Sequence, residues 1–387
     1  MERLWTRPFI QMSLGMLFLF IGFYLLLPTL PLYIKLLGGS ESQVGLTIGV
    51  FTLTAVVFRP LVGGLLDRYG RRPFIIWGLI FFTLSMYLYD WISIGGIALF
   101  IALRALHGAS WAVSTTAIGT AVTDTIPVAR RGEGMGWFGM AMTVAMAIGP
   151  MIGVSVIQED YSFHYLFLLA TGLSMVALLL TATAKTMFQP KTVTGRWSFF
   201  ERTVLPISVV LFFLTVAYGG VMTFLPLFAE SLHVNPGIFF FVFATALTVI
   251  RPIAGKLSDR HGEVYVIVPA LLITGVALLV LSVSNGLSGI IVSAVLYGIG
   301  FGSAQPALQA ATLRLAHPER KGVANASFFS AFDLGIGLGA MALGLVSQLL
   351  GYQALFAVSA VSVAISLLIF LSIRQTSIKT NRKGPRS

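Results

Sequence analysis

The sequence predicts an all-α membrane protein with twelve transmembrane helices in two pseudo-symmetric six-helix bundles. Three observations point to this fold class: a shortage of charged residues, twelve long apolar blocks and an internal repeat. Of the 387 residues, 57% are hydrophobic and only 10% are charged, whereas a soluble domain carries roughly 25% charged residues. The chain therefore lacks the charged groups that a water-facing surface of this size requires.

The apolar residues are grouped in blocks near or above the roughly 20 residues that cross a bilayer core as a helix. A helix satisfies its backbone hydrogen bonds internally, whereas the strands of a membrane barrel read as alternating segments of about ten residues. The blocks of the first half are residues 9–34, 44–66, 74–91, 95–120, 134–157 and 163–184. Those of the second half are residues 203–227, 237–257, 264–284, 287–312, 322–349 and 353–372. We therefore expect twelve helical spans.

The net charge of +11 indicates membrane topology rather than nucleic-acid binding. With the N-terminus in the cytoplasm, every Lys and Arg falls in a cytoplasmic segment except Lys35, Arg59, Arg104 and Arg251. This asymmetry follows the positive-inside rule. The sequence thus predicts a multi-pass protein of the plasma (inner) membrane, surrounded by lipid, with both termini cytoplasmic and no nucleic-acid partner.

The chain also repeats itself. Residues 59–70 (RPLVGGLLDRYG) return as residues 251–262 (RPIAGKLSDRHG), with seven of twelve positions identical, and both copies lie at the end of the second block of their half. Two six-helix halves related by an axis along the membrane normal, with a solute site near the midplane, are an established transporter plan. We divide the chain into an N-terminal bundle (1–184), a cytoplasmic linker (185–202), a C-terminal bundle (203–373) and a basic cytoplasmic tail (374–387).

Together with two further motifs, this repeat resembles the major facilitator superfamily over the whole chain. Residues 63–72 (GGLLDRYGRR) are similar to that family's signature between its second and third helices, and residues 104–108 (RALHG) resemble the Arg-x-x-x-Gly element of proton-coupled members. Gly149, Pro150 and Gly153 resemble the antiporter element Gly-Pro-x-x-Gly-Gly, with Val154 in place of its last glycine. The chain is most similar to the 12-helix drug:proton antiporter group, although it lacks the first-helix acid that many members carry.

The resemblance implies a cytoplasmic gate at the two repeated loops. Asp67 and Asp259 would each place a carboxylate at the N-terminus of another helix, where the macrodipole stabilises an anion by about 0.3–1 kcal/mol. Basic neighbours can add charge-assisted hydrogen bonds, or they serve only to set topology. The candidate gate residues are Gly63, Asp67, Arg68, Gly70, Arg71, Arg72, Asp259 and Arg260.

Charges deep inside two blocks make Arg104, His107 and Asp333 the candidate proton-coupling residues. Arg104 lies about nine residues into its block, roughly 14 Å deep at 1.5 Å per residue, where a charge costs at least about 2.5–3.5 kcal/mol and needs a cavity or partner. His107 continues the same helix face. Asp333 is the one carboxylate well inside a block. An acid in such a place can bind and release a proton near neutral pH, so we rank it first.

Simpler roles stay open for these residues on the sequence alone. Arg104 could bond the backbone carbonyls of the first helix, and His107 could be a packed polar residue. Asp333 could form a static ion pair with an arginine or contact a cationic substrate directly.

The resemblance further implies a central cavity lined by the first, fourth, seventh and tenth helices. Aromatic and methionine side chains form an adaptable apolar wall that suits varied amphipathic solutes. The candidate lining residues are Phe20, Tyr24, Trp111, Met142, Met146, Tyr218, Tyr297, Phe301, Gln305 and Gln309. Because the chain has 30 phenylalanines, packing against lipid or other helices is the alternative for each aromatic residue.

These observations favour a proton-coupled secondary active transporter that exports small amphipathic or drug-like solutes by alternating access. The alternatives are an exporter of an anionic or zwitterionic metabolite, a metallophore or a lipid, and a proton symporter on the same fold. We expect a monomer that uses the proton gradient and no cofactor, since Gly255-Lys256 lacks the rest of a phosphate-binding loop. Five scattered histidines and no cysteine predict neither a metal site nor an enzyme.

Overall fold

A computed structural model describes residues 3–91, 96–127, 130–158, 162–184, 201–316 and 321–382 of the chain. The regular elements within these residues are helices. The chain forms two compact units, Met1–Arg196 and Trp197–Ser387.

The first unit contains α1 (Arg7–Leu26), α2 (Thr29–Leu36), α3 (Glu41–Tyr69), α4 (Arg72–Trp91), α5 (Gly96–Thr125), α6 (Arg131–Gln158) and α7 (Phe163–Ala182). The second unit contains a 3-10 turn (Arg202–Val204), α8 (Leu205–Ser231), α9 (Pro236–His261), α10 (Val264–Ser282), α11 (Leu287–Leu315) and α12 (Lys321–Arg382). Within the described ranges, 11 helices are long and apolar enough to cross a membrane. The apolar part of α12, Ala326–Ile373, has 48 residues and is interrupted at Gly351, where φ is 84°. It therefore supplies two spans, which confirms the twelve-span fold of a multi-pass membrane protein.

The two units share one pattern of neighbouring helices. In the first, α1 packs against α6 and α7, α3 against α5, and α4 against α5 and α7. In the second, α8 packs against α12, α9 against α11, and α10 against α11 and α12. Helix α8 is thus the counterpart of α1, α9 of α3, α10 of α4 and α11 of α5. The repeat seen in the sequence is a repeat of structure.

Both copies of the repeated loop end their helix with the same backbone conformation. Gly70 follows α3 with φ 90° and ψ 169°, and Gly262 follows α9 with φ 91° and ψ 158°. The amide of Gly70 donates to the carbonyl of Leu66, and that of Gly262 donates to Ser258. Positive φ favours glycine because a Cβ would clash with the backbone. These two glycines are therefore required by the turn itself.

Glycines also allow α6 to approach α1 closely. A Cβ added to Gly149 would lie 2.6 Å from the Cβ of Tyr24, and one added to Gly153 would collide with the carbonyl oxygen of Leu25. Pro150 lies between them, inside α6. The Gly-Pro-x-x-Gly element is therefore the surface on which α6 packs against α1.

We expect Gly153→Ala to destabilise the protein strongly. The atoms that its Cβ would strike belong to the backbone of Leu25 and cannot rotate away, so overpacking should cost about 1–3 kcal/mol or more. Gly139→Ala is the matched control on the same helix, because a Cβ there meets nothing within 4 Å. The apparent melting temperature in detergent measures the difference, and equal values for the two variants would contradict this account.

Candidate functional site

A buried polar cluster lies inside the first unit, where α3, α4 and α5 meet. It consists of Tyr89 from α4 and of Arg104 and His107 from α5, together with the backbone carbonyl of Thr47 from α3. Residues three apart lie on one side of a helix, which brings Arg104 and His107 together. Arg104 is 1% exposed, and His107 and Tyr89 are fully buried.

Hydrogen bonds in this cluster connect all three helices. The hydroxyl of Tyr89 lies 2.7 Å from Nδ1 of His107, and Nη1 of Arg104 lies 3.2 Å from the same nitrogen. Arg104 also donates from Nη1 to the Tyr89 hydroxyl over 3.4 Å and from Nε to the Thr47 carbonyl over 3.3 Å. Its Cζ lies 4.2 Å from the ring centroid of Phe51, a distance at which the aromatic face attracts the cation.

Two features of the cluster cost folding free energy, which is unexpected if the cluster only stabilises the fold. Among the described residues, the hydrogen-bond partners of Arg104 are neutral groups, and a buried charge without an opposite charge is expensive. Nε2 of His107 is buried and has no hydrogen-bond partner in the described part of the chain, which costs about 1–3 kcal/mol. We therefore treat this cluster as the candidate functional site of the first unit.

Tyr89 is absent from the candidates drawn from the sequence. Its only local signal is its spacing, because Phe82, Met86 and Tyr89 recur at the i, i+4 and i+7 positions of one helix face. All three side chains are buried. The spacing predicts an inward orientation, but it does not indicate that a tyrosine there meets a histidine and an arginine.

The second deep charge, Asp333, belongs to the second unit and is half-buried on α12. It lies roughly 18 Å along this helix from its start at 1.5 Å per residue. Its neighbour Phe332 contacts Tyr218 of α8, with 6.0 Å between ring centroids. A Cβ added to Gly335 would lie 2.6 Å from the carbonyl oxygen of Phe212. Asp333 is therefore next to a close contact between α8 and α12.

Aromatic side chains predicted to contact solute form one cluster in the first unit. The ring centroid of Phe20 lies 4.8 Å from that of Trp111 and 6.0 Å from that of Tyr24. Phe23, which the sequence analysis does not identify, stacks on Trp111 at 4.4 Å. On α6, Met146 is buried and Met142 is half-buried.

The corresponding residues of the second unit form a parallel stack. Phe301 lies 4.4 Å from Tyr218 with an interplanar angle of 12°, and 5.9 Å from Tyr297 with an angle of 6°. Gln305 is one turn further along α11 and accepts a hydrogen bond from Nη2 of Arg251 over 3.5 Å. Gln309, half-buried, continues the same face at four-residue spacing.

Among the predicted gate residues, Arg71 has the most defined contacts. It is 8% exposed and donates from Nε to Oδ2 of Asp124 over 3.0 Å and from Nη1 to the carbonyl of Leu66 over 2.7 Å. It therefore joins the ends of α3 and α5 to the start of α4. Arg72 is exposed and donates to the carbonyl of Ala182 over 3.4 Å.

The remaining gate residues have fewer described contacts. Arg68 is exposed, with its Cζ 5.3 Å from the ring centroid of Tyr69, and Arg260 is exposed as well. Gly63 lies within α3, but its surroundings and the side chains of Asp67 and Asp259 are outside what the structure describes. The predicted contacts of these two carboxylates with helix N-termini stay predictions.

The second unit has an ion pair at the positions that correspond to Arg71 and Asp124. In this pair the acidic residue takes the place of Arg71 and the basic residue takes the place of Asp124. Glu263 follows the loop glycine as Arg71 does, and its Oε1 lies 2.8 Å from Nε of Arg314. Glu263 is the N-cap of α10 and Arg314 lies in the last turn of α11, so both charges suit the helix dipoles. In the first unit the cation lies at a helix start and the anion at a helix end, and both oppose the dipoles.

Comparison with known proteins identifies the family. The model of the Major Facilitator Superfamily matches residues 12–248 and 233–386. The chain is 24% identical to the staphylopine export protein of Staphylococcus aureus, over 94% of this chain and 95% of that protein. It is 26% identical to the multi-drug resistance efflux pump PmrA of Streptococcus pneumoniae, over 92% and 93% of the two chains.

Solved structures show the same fold. The human organic anion transporter MFSD10 has a TM-score of 0.72 at 20% identity and is matched over 94% of this chain and 98% of its own. The nucleoside transporter NupG has a TM-score of 0.71 at 15% identity, over 95% and 99% of the two chains. With twelve spans, a repeated six-helix unit and a family model that matches nearly its whole length, this chain belongs to the major facilitator superfamily of membrane transporters.

Proposed function

We propose that this chain is a proton-coupled antiporter that exports small amphipathic or drug-like solutes across the plasma membrane by alternating access. Both termini would lie in the cytoplasm. The observation that carries the proposal is the Arg104 cluster, which holds a cation and a titratable histidine inside a membrane span at a considerable energetic cost. Such a cost is characteristic of groups that act on ions. The similarity to a multi-drug efflux pump supports export.

In this mechanism Asp333 binds a proton from outside and releases it to the cytoplasm. The neutral and ionised forms of Asp333 favour different conformations of the protein, because a ligand shifts a conformational equilibrium only through different affinities for the two states. Solute binds in one conformation and leaves in the other. One pH unit supplies about 1.4 kcal/mol per proton, which supports about a tenfold solute gradient.

The aromatic clusters supply the contacts for the solute. Trp111 with Phe20, and Tyr218 with Phe301, offer flat apolar faces that bind aromatic or amphipathic groups without strict shape requirements. Gln305 adds a hydrogen-bonding group beside the second cluster. The proposed substrates are therefore planar or amphipathic molecules rather than sugars or small ions.

A second candidate cargo is an anionic or zwitterionic solute. Arg104 has neutral hydrogen-bond partners among the described residues, and Arg251 contacts Gln305 next to the aromatic stack. Either guanidinium could pair with a carboxylate of a solute. The similarity to a staphylopine export protein also favours a metabolite as cargo.

Purified protein in liposomes with an imposed pH gradient tests both candidates. Cationic, neutral and anionic fluorescent aromatic solutes are compared, and a pH-sensitive dye in the lumen follows the protons. We expect solute and protons to move in opposite directions, and solute accumulation to end when a protonophore is added. Preference for the anionic solutes would select the second candidate. Movement of solute in the same direction as protons, or of no solute at all, would refute the antiporter.

A further inference from the structure

Tyr89 has no assigned role, yet its hydroxyl lies between the two candidate coupling residues of α5. We infer that Tyr89 is a positioning residue: its hydroxyl donates to Nδ1 of His107, which together with Arg104 keeps the ring proton on Nε2, and it holds the guanidinium of Arg104 in place. The consequence for transport rests on the proposed function. The position of the His107 proton does not, because it follows from local hydrogen bonding.

The direction of each hydrogen bond follows from what the groups can donate. Arginine has no acceptor, so Nδ1 of His107, 3.2 Å from Nη1 of Arg104, must accept. The Tyr89 hydroxyl lies 2.7 Å from the same Nδ1 and therefore donates its single proton there. Its oxygen remains available to accept from Arg104 over 3.4 Å. With Nδ1 occupied as an acceptor, the imidazole proton lies on Nε2.

Among the described residues, the hydrogen bonds of the His107 imidazole are those with Tyr89 and Arg104. The rings of Phe51 from α3 and Phe82 from α4 face the imidazole edge-on, at 4.9 and 4.6 Å between centroids. The titratable or charged groups that contact it are Tyr89 from α4 and Arg104 from its own helix. A second proton on the imidazole would have to bind Nδ1, where it would remove the acceptor that Arg104 uses and place a second positive charge next to the guanidinium. Protonation of His107 therefore opposes the observed position of Arg104.

Packing alone does not explain a tyrosine at this position. The ring of Tyr89 lies 5.1 Å from that of Phe100 and 5.7 Å from that of Phe167, and phenylalanine would make the same contacts. The ring also meets the imidazole of His107 edge-on, with 5.6 Å between centroids, but only the hydroxyl makes the hydrogen bonds to Arg104 and His107. Its function is therefore in the hydrogen bonds.

Nitrogen NMR of full-length protein labelled with ¹⁵N-histidine tests the proton position directly. The His107 signals are assigned by their loss in His107→Gln. We expect the wild-type protein to show the Nε2-protonated tautomer, and Tyr89→Phe to show the Nδ1 signal moved toward its unbonded value, because Nδ1 then keeps only its contact with Arg104. Tyr87→Phe is the matched control, because Tyr87 is on the same helix and 42% exposed. A proton on Nδ1 in the wild type, or an unchanged His107 signal in Tyr89→Phe, would overturn the inference.

A transport assay of Tyr89→Phe tests the positioning role independently of NMR. Loss of one hydrogen bond in the cluster should slow pH-driven transport by about threefold to tenfold and shift its pH profile, whereas Tyr87→Phe should match the wild type. His107→Gln keeps an acceptor for Tyr89 and Arg104 and should flatten the pH profile. A wild-type profile in Tyr89→Phe would refute the positioning role. Absence of proton coupling in the wild type would instead refute the proposed function, and the NMR result would still decide the role of Tyr89.

Discussion

Replacement of Asp333 by asparagine should abolish proton-driven solute accumulation while exchange of solute down its own gradient continues. Asparagine has nearly the same shape as protonated aspartate, but it cannot release a proton. The variant should therefore behave as a carrier fixed in the protonated state. With a gradient of one pH unit, the accumulation ratio should fall from about tenfold to one. Counterflow of labelled solute in liposomes measures the exchange that remains.

Two further variants make this result specific. Asp333→Glu keeps the proton-binding group on a longer side chain and should retain part of the accumulation. Asp90→Asn removes a carboxylate of the first unit that pairs with His164 at the end of α4, and should leave coupling intact. If Asp333→Asn still accumulates solute against a gradient, proton binding must be assigned to another residue.

The sequence predicted the spans well because their signals are local. Apolar blocks and helix breakers occur within short stretches of chain, and the gap between the last two blocks coincides with the positive φ of Gly351. In the same way, the break between α1 and α2 follows from Pro28, which lies at the N-terminal boundary of α2. The repeated loop was recognisable because its glycines are required by the turn.

The contacts of the candidate site could not be predicted, because they join residues far apart in the chain. Tyr89 and Phe23 look like ordinary apolar-block residues until the faces of neighbouring helices are known. Asp124 and Arg314 likewise gave no local sign that each would pair with a loop residue. The sequence therefore predicts that the loops act as gates, but not that ion pairs link them to α5 and α11.

The two units share a scaffold but carry different chemistry. Phe51 of α3 contacts His107, and its counterpart Phe243 of α9 contacts Tyr297, with 5.8 Å between ring centroids. Tyr297 thus occupies the place of His107, and Ala294, three residues earlier, occupies that of Arg104. The buried cation is present in the first unit alone among the described residues, whereas the deep carboxylate Asp333 belongs to the second. Coupling between proton and solute would depend on this difference between the repeats.

Replacement of Arg104 by methionine should reduce pH-driven transport by about a hundredfold, equivalent to about 2.7 kcal/mol, without lowering the melting temperature. Methionine fills similar space with an apolar chain, and exchanging a buried charge for an apolar group is often neutral or stabilising by about 1–4 kcal/mol. The bond between Tyr89 and His107 does not involve the guanidinium and should survive. Activity and stability should therefore change independently.

Arg104→Lys distinguishes the geometry of the guanidinium from its charge. A lysine ammonium keeps the positive charge but lacks the planar fork that lies over Phe51 and donates to Thr47 and Tyr89 together. If the geometry matters, this variant should lose most of the transport as well. Full activity in Arg104→Lys would show that charge alone suffices. If Arg104→Met lowers the melting temperature and the transport rate together, the role of Arg104 is structural. Arg104 would then only hold α3, α4 and α5 together, and the loss of transport would follow from the loss of stability.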